Sequence, residues 1–136
     1  MNLPVTGLYA ALCGLIVVVL VFRIVGLRRK FRVGIGDGGQ KPLAQAIRVH
    51  GNAVETMPIA LILLATFEAS GGLHWIVHSF GAALVLGRLM HMMGLSSSIG
   101  ITFGRFWGMI LTLTTITGLA IANILAFVSH VLGSHA

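Results

Sequence analysis

Four long apolar tracts, separated by short segments with glycine, serine or charged residues, run along this chain of 136 residues. They cover about residues 3–27, 43–67, 75–93 and 103–131, and each is long enough to cross roughly 30 Å of hydrocarbon as an α-helix. Because the basic cluster follows the first tract instead of preceding it, we predict a retained span and not a secretory signal peptide. The pattern predicts an all-α fold: an integral membrane four-helix bundle that forms a single domain over residues 1–136.

A row of polar residues interrupts the second tract between Arg48 and Pro58. At about 100° per residue, Arg48, Asn52 and Glu55 fall within a narrow arc of one helix face, whereas His50 lies well off it. A charged side chain at the centre of a bilayer costs about 2.5 to 3.5 kcal/mol. This helix therefore depends on its neighbours for insertion, and the polar row must face protein, water or a polar ligand.

The composition supports a membrane protein, because 57% of the residues are hydrophobic and only 9% are charged. A net charge of +6 would suit binding to nucleic acid, but five of the nine lysines and arginines lie in the connection 28–41. That placement follows the positive-inside rule, so we predict that residues 28–41 are cytoplasmic and that both termini lie on the opposite side. The basic segment lacks interleaved aromatic residues and a recognition motif, so membrane lipids and not nucleic acid are the expected partners.

Two glycine patterns have structural explanations. Residues 34–39 resemble a phosphate-binding loop, but no strand precedes them, so we predict a turn after which Pro42 opens the second helix. A row of small residues spaced four apart begins the fourth tract, and such spacing lets helix backbones approach closely, either within one chain or between subunits. The row consists of Gly100, Gly104, Gly108 and Thr112.

Histidine and cysteine offer little metal or redox chemistry in this sequence. His74 and His78 stand one helical turn apart, a spacing that suits a metal ion, but no third ligand is evident on the same side of the membrane. We predict no metal site. Cys13 is the only cysteine, and we expect it to be a small packing residue.

Cationic residues from all four tracts converge at one membrane level when the first connection is placed in the cytoplasm. Glu55 is the only carboxylate in this set, so we predict an anionic ligand. For Arg28, Arg29 and Arg105, taken singly, structural ion pairs or side chains that extend to the membrane surface are an alternative. The cationic residues are Arg28, Arg29, Arg48, Arg88, His91 and Arg105.

Two motifs carry a family resemblance: Arg-x-His-x-Asn-x-x-Glu-x-x-Pro from Arg48 to Pro58, and Gly-Arg-x-x-His from Gly87 to His91. With these motifs the chain resembles the MAPEG family, the membrane-associated proteins in eicosanoid and glutathione metabolism. Its short glycine-rich first loop is most similar to the bacterial branch, and the whole chain is similar to microsomal glutathione transferase. The resemblance implies a homotrimer in a bacterial inner membrane, with glutathione bound between adjacent subunits near the cytosolic face.

The resemblance also implies roles for individual residues. Arg48, Asn52 and Glu55 are expected to contact the tripeptide, whose two carboxylates suit arginines and whose ammonium suits a glutamate. For stabilising the glutathione thiolate, Arg105 is the first choice and Arg88 the second. Further contacts with glutathione are expected from Arg28 or Arg29, His50, Arg88 and His91.

The implied activity is that of a glutathione transferase or peroxidase, with glutathione as co-substrate and lipophilic electrophiles or lipid hydroperoxides as small substrates. Several active relatives have tyrosines after the motif glutamate and along the third helix, whereas this chain has Thr56 there and Tyr9 as its only tyrosine. A non-catalytic lipid- or glutathione-binding regulatory membrane protein of the same fold is therefore an alternative. A small transporter is a third, although the far halves of the tracts show no matching polar row.

Overall fold

The computed structural model describes residues 2–97, 100 and 102–133, and the regular secondary structure in that part of the chain is entirely helical. Helix α1 spans Pro4–Phe31, α2 spans Lys41–Ala69, α3 spans His74–Ser97 and α4 spans Phe103–Gly133. All four are long and apolar enough to cross a membrane. The predicted all-α architecture with four membrane-spanning segments is confirmed at this level.

Local sequence explains where α1 and α2 begin and end. Pro4 and Pro42 lie in the first turns of their helices, where a missing backbone N–H removes no helical hydrogen bond. Helix α1 ends at Arg32, whose left-handed backbone, with φ 54°, lets its amide donate to carbonyl oxygens of the last turn. Three glycines with positive φ follow before α2 begins, so the glycine-rich segment is a turn, as predicted.

Helices α3 and α4 pack closely along a glycine seam. A Cβ atom added to Gly104 would lie 2.7 Å from the carbonyl oxygen of Met90, and one added to Gly108 would lie 2.6 Å from that of Gly87. Real Cβ atoms do not approach that closely, so only glycine permits this helix spacing. Of the two explanations for the glycine row, packing within one chain is confirmed at Gly104 and Gly108.

The end of α2 anchors the start of α1. Glu68 is buried, and its carboxylate accepts hydrogen bonds from the backbone amides of Val5, at 3.1 Å, and Thr6, at 2.7 Å. These amides belong to the first turn of α1, which has no intrahelical acceptors for them. We call this the Glu68 end of the bundle and the opposite end, which carries residues 28–41, the basic end.

The bundle is open on one side. Helix α1 packs against α2 and α3, and α4 also packs against α2 and α3, but α1 and α4 do not touch in the described residues. The outward faces of these two helices are apolar, with Phe22 on α1 and Phe127 on α4 each more than two-thirds exposed. Hydrocarbon is the solvent that suits such faces. Cys13 is buried in the apolar core, so its predicted packing role is confirmed.

Candidate functional site

A cavity of about 370 Å³ opens between α2 and the α3–α4 pair at the basic end. We call it the Arg48 cavity. A smaller cavity of about 280 Å³ adjoins it, shares Arg48, Leu95 and Arg105, and extends toward Lys41 at the start of α2. The residues that line the Arg48 cavity are Arg48, Asn52, His91, Leu95, Arg105, Phe106, Met109 and Ile110.

Arg48 and Glu55 form an exposed ion pair beside this cavity. Their Nη1 and Oε1 atoms are 3.7 Å apart, and their side chains are 68% and 57% exposed. Exposed pairs of this kind contribute about 0–1 kcal/mol, so a ligand can replace either partner at little cost. Because Asn52 lines the cavity with Arg48, the three side chains predicted to share a helix face do lie together.

Arg88 lies beneath the cavity and does not line it. Its Nε donates to Thr112 Oγ1 at 2.9 Å, and its Nη1 donates to Asn52 Oδ1 at 2.7 Å and to Thr56 Oγ1 at 3.0 Å. Its Nη2 donates to the carbonyl oxygen of Gly108 at 3.4 Å. These acceptors are all neutral, so a buried cation is held by groups from α2 and α4, with no carboxylate among its described partners.

The Arg88 network fixes the orientation of the Asn52 amide. A guanidinium group has donors only, so Asn52 must turn Oδ1 toward Arg88, and its Nδ2 is left for the cavity. Thr56 donates its own hydroxyl hydrogen to the backbone carbonyl oxygen of Asn52 at 2.9 Å, which leaves the lone pairs of Thr56 Oγ1 as acceptors for Arg88. Asn52 therefore presents a hydrogen-bond donor to the cavity, which suits a carbonyl or carboxylate oxygen of a ligand.

Helices α3 and α4 supply the opposite wall through His91 and Arg105. His91 is 4% exposed. Arg105 is half-buried, and its Nη1 donates to the carbonyl oxygen of Gly100 at 3.3 Å. Its backbone amide donates to Thr102 Oγ1 at 3.3 Å, so Thr102 caps α4 and fixes the position of Arg105 in the first turn.

Arg28 and Arg29 lie apart from this cavity. With Arg32 they line a shallow depression at the end of α1, and they do not border the Arg48 cavity. His50 is half-buried on α2 and is also absent from the cavity lining. The predicted contacts of these residues with glutathione stay predictions.

Sequence reasoning missed the hydroxyl groups that hold Arg88. In the sequence Thr56 stands out only as the replacement of a tyrosine, and Thr112 only as a member of a packing row. The available signal was a hydroxyl group within a membrane-spanning tract, where a polar group needs a partner. At the Glu68 end, His78 Nδ1 lies 3.1 Å from the Tyr9 hydroxyl, and the described residues contain no cluster of three metal-ligating side chains.

The residues that line the Arg48 cavity lie in a part of the chain that matches known proteins. A profile of the MAPEG family matches residues 6–125, a range that contains every residue lining the Arg48 cavity. Inner membrane protein YecN of Escherichia coli (strain K12) is 48% identical over 90 residues, which cover 66% of this chain and 69% of that protein. The protein of the same name from an O6:H1 strain gives the same values.

Proposed function

The chain belongs to the MAPEG family of membrane proteins of eicosanoid and glutathione metabolism, and on that premise we propose that it binds glutathione in the Arg48 cavity. The observation that carries the proposal is the charge pattern of this cavity: two arginines and a donor amide line it, and a carboxylate paired with one of the arginines stands at its edge. The volume of about 370 Å³ falls within the usual range of small-molecule sites, roughly 300–1,000 Å³.

The functional groups of glutathione complement this pattern. Its two carboxylates suit Arg48 and Arg105, and its ammonium suits Glu55, which then exchanges an exposed pair with Arg48 for one with the ligand. The Nδ2 of Asn52 suits an acceptor oxygen of the tripeptide. Each of these contacts uses a group that faces the cavity or its edge, whereas Arg88 acts from below by holding Asn52.

The proposed chemistry is attack by the glutathione thiolate on one of two kinds of atom. At an electrophilic carbon a C–S bond forms as the leaving group departs or a proton adds to the activated double bond. At a hydroperoxide oxygen the O–O bond breaks, the alcohol is released, and a second glutathione converts the sulfenic acid to the disulfide and water. A thiol pKa near 8.5 must fall by about two units to give mostly thiolate at neutral pH, which requires about 2.7 kcal/mol of preferential stabilisation. A desolvated cation beside the sulfur supplies energy of this size. We assign this role to Arg105, because it lines the cavity, whereas Arg88 is buried and does not line it.

Lipophilic substrates reach such a site through the bilayer. Phe106 and Ile110 line the cavity and are also exposed on the outward face of α4, so the cavity opens toward hydrocarbon. We propose an inner-membrane location with residues 28–41 in the cytoplasm, in line with the name of the relative YecN. We also propose a homotrimer, in which Arg28 and Arg29, which do not border the Arg48 cavity of their own chain, serve the site of a neighbouring subunit.

Glutathione binding by the purified protein tests the proposal. We expect calorimetric binding in wild type and a loss of at least about tenfold in affinity for Arg48→Ala and Glu55→Ala, since each removes one charged contact. Lys30→Ala is the matched control, because Lys30 is an exposed cation outside the cavity. Absence of binding at millimolar glutathione would refute the proposal.

A second candidate is a non-catalytic glutathione- or lipid-binding protein of the same fold. The observation that favours it is the position of Tyr9, the only tyrosine, whose hydroxyl contacts His78 at the Glu68 end, far from the Arg48 cavity. No tyrosine hydroxyl is therefore available to the thiol. This candidate predicts glutathione binding without the ultraviolet thiolate signal and without turnover of electrophiles or hydroperoxides.

A further inference from the structure

A second polar cleft lies at the Glu68 end, between the ends of α2 and α4. Its volume is about 460 Å³. Its lining includes no lysine, arginine, aspartate or glutamate, and none of its lining residues lines the Arg48 cavity. The function proposed above therefore leaves this cleft unused. Its lining residues are Ser70, Asn123, Ala126, Phe127 and His130.

Asn123 has a fixed amide orientation in this cleft. Its Nδ2 donates to the carbonyl oxygen of Leu63 at 2.9 Å and to that of Leu119 at 2.8 Å. Because carbonyl oxygens only accept, both amide hydrogens are used and Oδ1 is the atom that remains for the cleft. Within the part of the chain that the structure describes, no donor meets this oxygen. An acceptor without a donor is unfavourable inside a bilayer.

The other lining groups are acceptors as well. Ser70 donates its hydroxyl hydrogen to the carbonyl oxygen of Thr66 at 2.8 Å, which leaves its lone pairs for the cleft. His130 is exposed, and a neutral imidazole has one acceptor nitrogen. The ring of Phe127, 68% exposed, adds the negative face of an aromatic π-system. A ligand group that is both positively charged and a hydrogen-bond donor would therefore complement this cleft.

The cleft has the depth of a headgroup region. Ser70 ends α2, whereas Asn123 contacts the carbonyl of Leu63, seven residues and about 10 Å farther along the helix axis. A group bound between them reaches from the membrane surface to the outer part of the hydrocarbon. Helix ends at this depth adjoin the polar layer of the bilayer.

We propose that this cleft binds the primary ammonium group of an ethanolamine phospholipid headgroup. An ammonium is a charged hydrogen-bond donor, so it suits Asn123 Oδ1, and its charge is attracted to the face of Phe127. Ser70 and His130 line the same cleft nearer the membrane surface. Glu68, at the same end, favours a cation there, and the described residues at this end include no lysine or arginine. A choline headgroup has no N–H donor, so the cleft discriminates between the two headgroups.

Native mass spectrometry of retained lipids tests this assignment. Purified protein is equilibrated with equal amounts of ethanolamine and choline phospholipids that have the same acyl chains. We expect about tenfold enrichment of the ethanolamine lipid, the ratio that one net charged hydrogen bond provides. Equal retention of both lipids would overturn the proposal. A second arm adds free ethanolamine: if it displaces the lipid at micromolar concentration, the site is one for a soluble amine and the lipid assignment is wrong.

Variants locate the effect in the cleft. Asn123→Leu and the double variant Ser70→Ala with His130→Ala are expected to lose the enrichment, whereas Ser129→Ala is the matched control. Ser129 is exposed on the same helix, and its hydroxyl bonds the carbonyl of Ala126 within α4. The double variant changes exposed groups and keeps the test valid if Asn123→Leu does not fold. Unchanged enrichment in the double variant, or loss in Ser129→Ala, contradicts the proposed site.

Discussion

Asn52→Asp separates ligand binding from stability, because it alters the two sides of one side chain in opposite ways. In wild type, Asn52 Oδ1 accepts from Arg88 at 2.7 Å while Nδ2 faces the cavity. The aspartate keeps the acceptor toward Arg88 and gives that buried cation its first carboxylate partner among the described residues. On the cavity side it replaces a donor with a negatively charged oxygen.

The sizes of the two effects follow from these contacts. Toward Arg88, a charge-assisted hydrogen bond to a neutral amide, already worth about 1.5–3 kcal/mol, becomes an ion pair, and desolvation of the new carboxylate offsets most of the added attraction. We therefore expect a stability equal to that of wild type or about 1 kcal/mol higher. Toward glutathione, the loss of a donor and the repulsion of an acceptor together cost about 3 kcal/mol, or roughly 100-fold in Kd.

Thermal unfolding in detergent and calorimetric titration with glutathione measure both quantities on the same samples. Asn52→Ala is the first control: it removes both contacts, so stability falls by about 1–3 kcal/mol and affinity also falls. Thr56→Val is the second: Thr56 bonds Arg88 at 3.0 Å but does not line the cavity, so stability falls more than affinity. Our account of Asn52 fails if the aspartate variant binds glutathione as tightly as wild type, or if it unfolds more readily than the alanine variant.

Three further predictions concern other parts of the molecule. Arg105→Ala should abolish the ultraviolet thiolate signal of bound glutathione and retain most of the binding; a full signal in that variant would transfer the thiolate role to another residue. Glu68→Gln should lower the unfolding free energy by about 1–3 kcal/mol, because an amide replaces a carboxylate that accepts from two buried amides, with glutathione affinity unchanged in the same preparation. Gly108→Ala should destabilise the bundle by about 1–3 kcal/mol, since its Cβ would lie 2.6 Å from the Gly87 carbonyl oxygen, and an unfolding midpoint equal to that of wild type would show that the seam can open freely.

The positions of the spans could be predicted from hydropathy alone, but the helix ends could not. The first tract was placed at about residues 3–27, whereas α1 continues to Phe31. Hydropathy reports the part of a helix that crosses hydrocarbon, and the basic residues of its last turn keep helical hydrogen bonds outside that region. The helix stops only at Arg32, where the backbone turns left-handed.

The face shared by Arg48, Asn52 and Glu55 was predictable because it depends on periodicity within one helix. The position of Arg88 in the folded chain could not be predicted in this way. Its acceptors on α2 and α4 lie 20 to 36 residues away in sequence, and no local pattern states which helices pack beside it. From the sequence, Arg88 was therefore predicted among the cations that face a ligand, whereas in the folded chain it is buried and does not line the Arg48 cavity.

The acceptors of Arg88 also join the two halves of the chain. Thr112 and Gly108 belong to the hairpin of α3 and α4, whereas Asn52 and Thr56 belong to the hairpin of α1 and α2. Either hairpin alone offers only part of the acceptors that this buried guanidinium needs, and an unsatisfied buried cation is costly. The side chain that orients a ligand-binding amide therefore also makes the stability of each hairpin depend on its packing against the other.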